Sequence, residues 1–418
     1  MFVSNLYTGI LVFILLCAEA AIAETKPVVA HNDPIEIDNG LTLSKLVDLS
    51  MEKFPDMAWL KSLEDQAVAI KQRGESWMAG PAQAGLRYQN MTSGTVHYVD
   101  ATVQVPLWNI GQRDAEKNRG FSAENSAEMQ SKATKLRVAG LVRSALWQME
   151  LQKVRYDQAQ AEIDIFEQLL AKVERRVELG DLPRADMLLA QTELLQKLSI
   201  FTQAEAELMH ARKRYSSITQ LSKVPAAFKE KLTDIKEVKF SHPAFVAING
   251  QIEQKQAEIN ALKLVGSGQT NLTVGVNSDR TQTDDPRSNQ TESFNIGVNV
   301  PFGGEQHLQP QVAALNVELN RLIADREQLF RDLELAHHEA VHNLEVNQAE
   351  LEISNEMKQI AEQHLKMMQL SFSVGEISLM DLLKTQSRTQ QAILSAKERA
   401  IMIERDIALY NQSVGVMP

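Results

Sequence analysis

The chain has 418 residues and a formal charge of −11, a length that ordinarily holds two or three globular domains. Its 19 Gly and 12 Pro make about 7% of the residues and aromatics only 6%, where Gly and Pro together average roughly 12%. So few chain-turning residues and large core fillers argue against a compact α/β enzyme and for long helices with narrow seams of Leu, Ala, Met and Val. The acidic balance argues against a nucleic-acid partner, which needs a basic face.

The first segment reads as a secretory signal over residues 1–23. Residues 10–17 (ILVFILLC) are apolar and Ala21-Ile22-Ala23 before Glu24 is an A-x-A cleavage pattern. The stretch MFVSNLYTG ahead of it carries no Lys or Arg, so an N-terminal core helix is the alternative. Cys17 is the only cysteine, and Leu16 before it is too large for a lipobox, so no lipidation is expected. Cleavage would leave a chain of charge −10 with no thiol, which excludes disulfides, thiol catalysis and Cys metal sites. No apolar run of about 20 residues follows, so no transmembrane helix is expected in the mature protein.

The remainder reads as one unit written twice. VELGDLPRADMLLAQ (177–191) matches FSVGEISLMDLLKTQ (372–386): Gly180 faces Gly375, Asp186 faces Asp381, and Gln191 faces Gln386, each 195 residues on. The same offset joins Val105-Pro106 to Val300-Pro301 and Tyr215 to Tyr410. Pro55 and Pro243 lie 188 apart, so the second copy is longer, in its polar stretch 278–291. The expected domains are repeat 1 over 24–232, with a β-hairpin at about 82–106, and repeat 2 over 233–418, with a β-hairpin at about 270–301. Each repeat is helix, β-hairpin, long helix, helix.

In chain order, a helix is expected over about 42–78, then two alternating segments. Leu86 and Tyr88 mark the first strand; Val99, Ala101, Val103 and Val105 mark the second, alternating with Asp100, Thr102 and Gln104. Such a period of two is a strand with one apolar and one polar face. A turn at 91–95 (MTSGT) closes the pair. A long helix over 112–179 and a return helix over about 184–221 follow; Ile163, Phe166, Leu170, Val173 and Val177 are spaced 3, 4, 3, 4 as in a coiled-coil seam. The second copy repeats this with a helix over about 242–265, strands marked by Leu272, Val274, Val276 and Phe294, Ile296, Val298, Val300, a helix over 311–374 with the seam Ala361, Leu365, Met368, Phe372, and a return helix over about 378–414.

Four amphipathic strands cannot close a membrane barrel, which begins at about eight, and an open sheet in lipid leaves its edges unsatisfied. Three copies sharing one barrel would supply twelve strands, with Thr102, Gln104, Asn295 and Asn299 facing water. Tyr88, Tyr98, Trp108, Phe294 and Phe302 stand where an interfacial aromatic girdle is expected. A soluble β-sandwich on a coiled coil is the alternative.

With these features in place, the chain resembles the TolC-type outer-membrane efflux channels over nearly its whole mature length. The motifs that carry the resemblance are the two repeats, the strand exits Val105–Leu107 and Val300–Phe302, and the tips LGDLPRAD and VGEISLMD. The resemblance implies a mainly α protein with a small transmembrane β part: a homotrimer forming a 12-stranded outer-membrane barrel continuous with a periplasmic α-helical barrel. It implies a periplasmic adaptor and an inner-membrane pump as partners. SHPAFVAINGQIEQKQAEI (241–259) and the chain length look most like channel subunits of RND-type heavy-metal exporters. The tips Gly180, Asp181, Leu182, Pro183 and Gly375, Glu376, Ile377, Ser378 match the positions that meet the adaptor. Pro106 and Pro301 match the strand-exit turns, and Asp186 and Asp381 match the aspartates that narrow the periplasmic entrance. Six such carboxylates in a trimer would attract cations, while stabilisation of a helix N-terminus is the plainer role. Some members carry a second aspartate three positions on, where this chain has Lys384.

His338-Glu339-Ala340-Val341-His342 matches the H-E-x-x-H pattern of zinc peptidases, with Glu362 the downstream candidate for a third ligand. It sits in mid-helix, and its counterparts at the 195 offset are Arg143, Ser144 and Trp147, read as ordinary bundle surface; His337 makes the stretch histidine-rich, so weak metal contact by His337, His338 and His342 is the alternative to a solvated face. A solvated face is the default. No P-loop, dinucleotide fingerprint or Ser-His-Asp set is present, so no cofactor, resident metal or enzymatic activity is expected. The expectation is a passive exit duct in the outer membrane with a long periplasmic portion, carrying heavy-metal cations. The rivals are a duct for drugs or for type I protein secretion, a soluble periplasmic coiled-coil scaffold, and the peptidase.

Overall fold

The computed structural model describes residues 35–90, 96–281 and 290–418. The signal over 1–23, with Cys17, and the turn at 91–95 lie outside the described residues. The elements run β1 (Glu36–Asp38), α1 (Leu43–Glu52), α2 (Met57–Glu75), β2 (Gln83–Asn90), β3 (Val96–Leu107), α3 (Gln112–Glu178), α4 (Arg184–Thr219), β4 (Lys223–Pro225), α5 (Pro243–Lys263), β5 (Thr270–Thr281), β6 (Gln290–Asn299), α6 (Glu305–Ser373) and α7 (Leu379–Ser413).

The helix expected over 42–78 is two helices. Pro55 has no N–H to give and disfavours the helical conformation at Phe54, so the chain turns there, with Phe54 N–H on Met51 O at 3.0 Å. Thr42 caps α1 by accepting from Lys45 N–H at 3.2 Å. In the second half the long helix starts earlier than expected, at Glu305, and carries Pro310 in its second turn; Ser267 Oγ accepts from the Gly304 N–H at 2.9 Å just ahead of it.

α3 and α6 have 67 and 69 residues, so each is about 100 Å long at 1.5 Å per residue. Everything else lines up along them. Toward the tip the helices pack in the order α4–α3–α7–α6, and toward the sheet in the order α2–α3–α5–α6. α2 therefore stands in line with α4, and α5 in line with α7. The sheet end of this packing is close: a Cβ on Gly120 would lie 2.9 Å from Lys71 Cα. That explains one of the two glycines in an otherwise unbroken helix.

The expected seam is the core at the tip end. Phe166, Val173, Leu365 and Phe372 are buried and cluster with Leu379 and Leu383, while Leu170, Val177 and Met368 pack around them. A second cluster, with Leu46, Val47, Val142, Leu146 and Tyr215, fills the middle of the molecule. α6 also carries a stripe absent from the sequence reading: Val346, Ile353, Ile360 and Met367, seven residues apart, are all exposed.

Arg143 and Trp147 correct the expectation of a plain bundle surface, for both are buried. The Arg143 side chain has no solvent exposure and donates to Glu230 Oε1 at 2.8 Å and Oε2 at 2.5 Å, to Gln412 Oε1 at 2.6 Å and to Val416 O at 3.1 Å. One guanidinium thus ties α3 to the extended segment after β4 and to the C-terminal turn. Trp147 packs edge-on against Phe228 of the same segment. Nearby, burial pulls the His242 imidazole below its ordinary pKa, and its Nδ1 accepts from Ala244 N–H at 3.2 Å as the cap of α5.

Removing one partner of a buried ion pair strands the other. Arg143→Met should therefore destabilise the folded chain by about 3–5 kcal/mol, read from the midpoint shift in chemical denaturation, while Lys132→Met on the exposed Glu128 pair should cost at most about 0.5 kcal/mol.

Candidate functional site

The sheet has the order β2-β3-β5-β6, all antiparallel, with β2 and β6 as open edges. Register places its residues in cross-strand rows. Leu86–Ala101–Val276–Phe294 and Ala84–Val103–Val274–Ile296 fall on one face, continued by Val105–Leu272–Val298. The intervening rows are Arg87–Asp100–Asn277–Ser293, Gly85–Thr102–Gly275–Asn295 and Gln83–Gln104–Thr273–Gly297. One face is thus apolar and the other polar. Leu86, Phe294, Ile296 and Val298 are 60–79% exposed, a contiguous apolar surface of the kind that marks an interaction site. Among the described residues the sheet is open, with no closed barrel.

The five aromatics expected to form a girdle do not share one setting. Tyr88, Phe294 and Phe302 are exposed, but Tyr98 lies in the row Gln89–Tyr98–Asp279–Thr291, which has the parity of the polar face. Trp108 is turned to the helices, its indole N–H donating to Ser76 O at 3.0 Å.

At the sheet–helix junction, Pro106 is not the exit turn. It is buried inside β3, paired with Asn271 beyond the last β2–β3 pair, Gln83↔Gln104, where only β5 flanks the strand. A proline there removes no bond on the β2 side, and its carbonyl accepts from Ala79 N–H at 3.0 Å. The chain turns instead at Ile110-Gly111. Pro301 does lie past its strand, two residues after Asn299. The residue that organises this junction is Asn109, which sequence reasoning missed. Its Nδ2 donates to Val265 O and Gly268 O, both at 2.9 Å, and its Oδ1 accepts from Thr270 Oγ1 at 3.2 Å. An Asn before a glycine turn looks local; its partners lie more than 150 residues away.

At the far end, both tips have the same geometry. Gly180 and Gly375 adopt φ of +81° and +82°, a left-handed conformation that glycine takes without the clash a side chain meets. Gly180 N–H bonds Val177 O at 3.0 Å and Asp181 N–H bonds Arg176 O at 2.8 Å; Gly375 N–H bonds Phe372 O at 3.2 Å and Glu376 N–H bonds Ser371 O at 2.9 Å. These are paired Schellman closures, which satisfy the last helix carbonyls. Leu182 and Ile377 fold back onto the tip core, while Asp181, Pro183, Glu376 and Ser378 are exposed. Arg176 Nη1 donates to Phe372 O at 2.9 Å and its guanidinium lies 5.0 Å over the Phe372 ring, joining one hairpin to the other.

Asp186 and Asp381 each occupy the first turn of a return helix, where a carboxylate meets the positive end of the helix dipole. Their local settings differ. Ser378 caps α7 by accepting from Asp381 N–H at 3.2 Å, and its hydroxyl donates to Asp381 Oδ2 at 2.7 Å. α4 begins at Pro183 with no side-chain cap, and Asp186 N–H bonds Pro183 O at 3.0 Å. Lys384 is exposed one turn beyond Asp381.

The H-E-x-x-H segment lies within α6. His338, Glu339 and His342 are exposed. Glu362, the sought third ligand, is on the same helix about 30 Å further along, and among the described residues no three metal-ligating groups lie together. The peptidase constellation is therefore not assembled. His337 is engaged elsewhere, with Ser413 Oγ at 3.2 Å and Lys236 O at 3.0 Å.

The architecture is shared with known channels. CusC, whose structures follow conformational changes accompanying folding and transmembrane channel formation, superposes with a TM-score of 0.71 at 11% identity over 94% of this chain and 96% of its own. The outer membrane protein VceC of Vibrio cholerae gives 0.70 at 12% over 90% and 97%, and the CmeC outer membrane channel of Campylobacter jejuni gives 0.68 at 12% over 89% and 85%. No family model and no curated protein sequence matches the chain. At this identity the likeness establishes the fold: it is the fold of TolC-like outer-membrane channels, to which the strand and tip motifs pointed.

Gly180→Ala and Gly375→Ala should each cost about 1–2 kcal/mol, because a side chain is disfavoured at positive φ. Hydrogen exchange should place the added opening in the last turns of α3 or α6, leaving the Arg143 region unchanged.

Proposed function

We propose that the chain is the outer-membrane exit duct of a tripartite efflux system. In this reading three copies each give four strands to a 12-stranded barrel in the outer membrane, and their helices form a tube in the periplasm. The two halves, 24–232 and 233–418, are repeats of one unit, and residues 1–23 are the export signal. The tips Gly180–Pro183 and Gly375–Ser378 meet a periplasmic adaptor, which couples the duct to an RND-type inner-membrane pump. The observation that carries the reading is the sheet: an exposed apolar face, a polar face and two open edges at one end of a helical stalk about 100 Å long. Strands of 10–12 residues, as in β3, β5 and β6, suit a bilayer, which needs about 9–11 tilted residues. The likeness to CusC, VceC and CmeC supports the same reading.

The proposed cargo is a heavy-metal cation, supported by Asp186 and Asp381 standing in the first turns beyond the tips. A drug or protein cargo is the rival, and the pump encoded beside this chain distinguishes them.

The helical row offers α4 at one end and α6 at the other, with Leu195 and Ile360 exposed and each 15 residues from its tip glycine. Leu195→Cys with Ile360→Cys, treated in membranes with a short bismaleimide, should give a ladder that stops at three copies. Either single variant should stay monomeric on a denaturing gel. A double variant that stays monomeric, or fractionates without detergent into the soluble phase, overturns the duct. Asp186→Asn with Asp381→Asn should lower the cation preference of single-channel currents in planar bilayers; an unchanged preference removes the carboxylate ring from the mechanism.

A further inference from the structure

The H-E-x-x-H segment fails as a peptidase, yet its two outer histidines form a pair with no structural employment. His338 and His342 are one helical turn apart on the solvent-facing side of α6. Their rings lie parallel, with centroids 6.4 Å apart and planes within 6°. Among the described residues neither ring accepts from or donates to any other group, in contrast to His337 one position away, whose two ring nitrogens are both engaged. On the same side of the helix, Glu334 stands one turn before His338 and Glu345 one turn after His342, both exposed. Arg331 is the only basic residue between 331 and 346, against Asp332, Glu334, Glu339 and Glu345.

We propose that His338 and His342 form a two-imidazole site for a borderline divalent transition-metal cation, of the Ni²⁺, Cu²⁺ or Zn²⁺ class. Imidazole is the ligand these ions share, and an i, i+4 spacing lets both rings reach one ion on a helix face. Metal–nitrogen bonds are about 2.0–2.1 Å, so the rings must close from their present separation. Two exposed side chains reach that geometry by rotamer change without disturbing the backbone. The acidic surroundings favour a cation, and Glu345 is placed to supply a carboxylate; water completes the shell. The site belongs to α6 alone and does not rest on the duct reading.

The test uses the full-length, tag-free protein in detergent, stripped with chelator, and titrated calorimetrically with Ni²⁺ alone. The expected result is one ion per chain, lost in the His338→Ala/His342→Ala double variant and weakened about tenfold or more in each single variant, since losing even an outer-shell partner costs 10–100-fold. His337→Ala and Glu339→Gln should bind as the parent does. Because both histidines are exposed, unchanged circular dichroism and melting in the double variant should accompany the loss. No binding by the parent, binding retained in the double variant, or binding lost in His337→Ala overturns the proposal. Trimer formation by cross-linking is read separately, so failure of the metal site and failure of the duct are distinguishable.

Discussion

Among the described residues, backbone groups at the outer sides of β2 and β6 have no strand to pair with, and an unpaired peptide group away from water costs several kcal/mol. A sheet with one apolar face cannot escape that cost in lipid by itself, because four strands are too few to curl round and meet. The remaining architecture is arranged around this deficit. In the proposed duct the polar rows Arg87–Asp100–Asn277–Ser293 and Gln83–Gln104–Thr273–Gly297 are the wetted surface and the opposite rows face lipid. Asn109 holds the two hairpins together at their base through carbonyls of the second half. The central β3–β5 pairing is made within the single chain.

α3 transmits that order to the other end. It packs on α2 and α5 near the sheet and on α4 and α7 toward the tips, and it carries the buried Arg143 at mid-length. The equivalent long helix α6 has far less burial along its course and instead shows the heptad stripe Val346, Ile353, Ile360 and Met367 to solvent. The two long helices therefore play unequal parts in the single chain: one is a spine, the other a free flank.

Much of this was legible in the sequence. Strand parity came from alternation, and the register kept Val99, Ala101, Val103, Leu272, Val274, Phe294 and Ile296 on one face as read. The tips came from matched glycines, and the left-handed φ at both positions gives the physical reason for the match. What was not legible depended on distant partners. Arg143 looks like a surface residue because charged side chains are rarely buried unpaired; its partner Glu230 lies 87 residues away in a segment without helical pattern. Correspondence at a constant offset predicts backbone, not burial: Arg143 and Trp147 are buried where their counterparts His338 and His342 are exposed. The apolar stripe on α6 was hidden because one helix can carry two seams, and the first was sufficient to define the fold. The break at Pro55 was visible as a residue but not as a boundary, since a proline in a helical pattern either kinks or ends it.

The helical row ends in unlike surfaces, α4 at one side and α6 at the other. Copies joined through them meet head to tail, not face to face as in a two-fold dimer. In such a ring the number of members is fixed by the curvature of each row and not by how tightly neighbours hold. A change in the α3–α7 packing that flattens the row by a few degrees would act first on stoichiometry, turning a closed ring into a wider or unclosed one while every individual contact survives. Copy number would then be a property of that one angle.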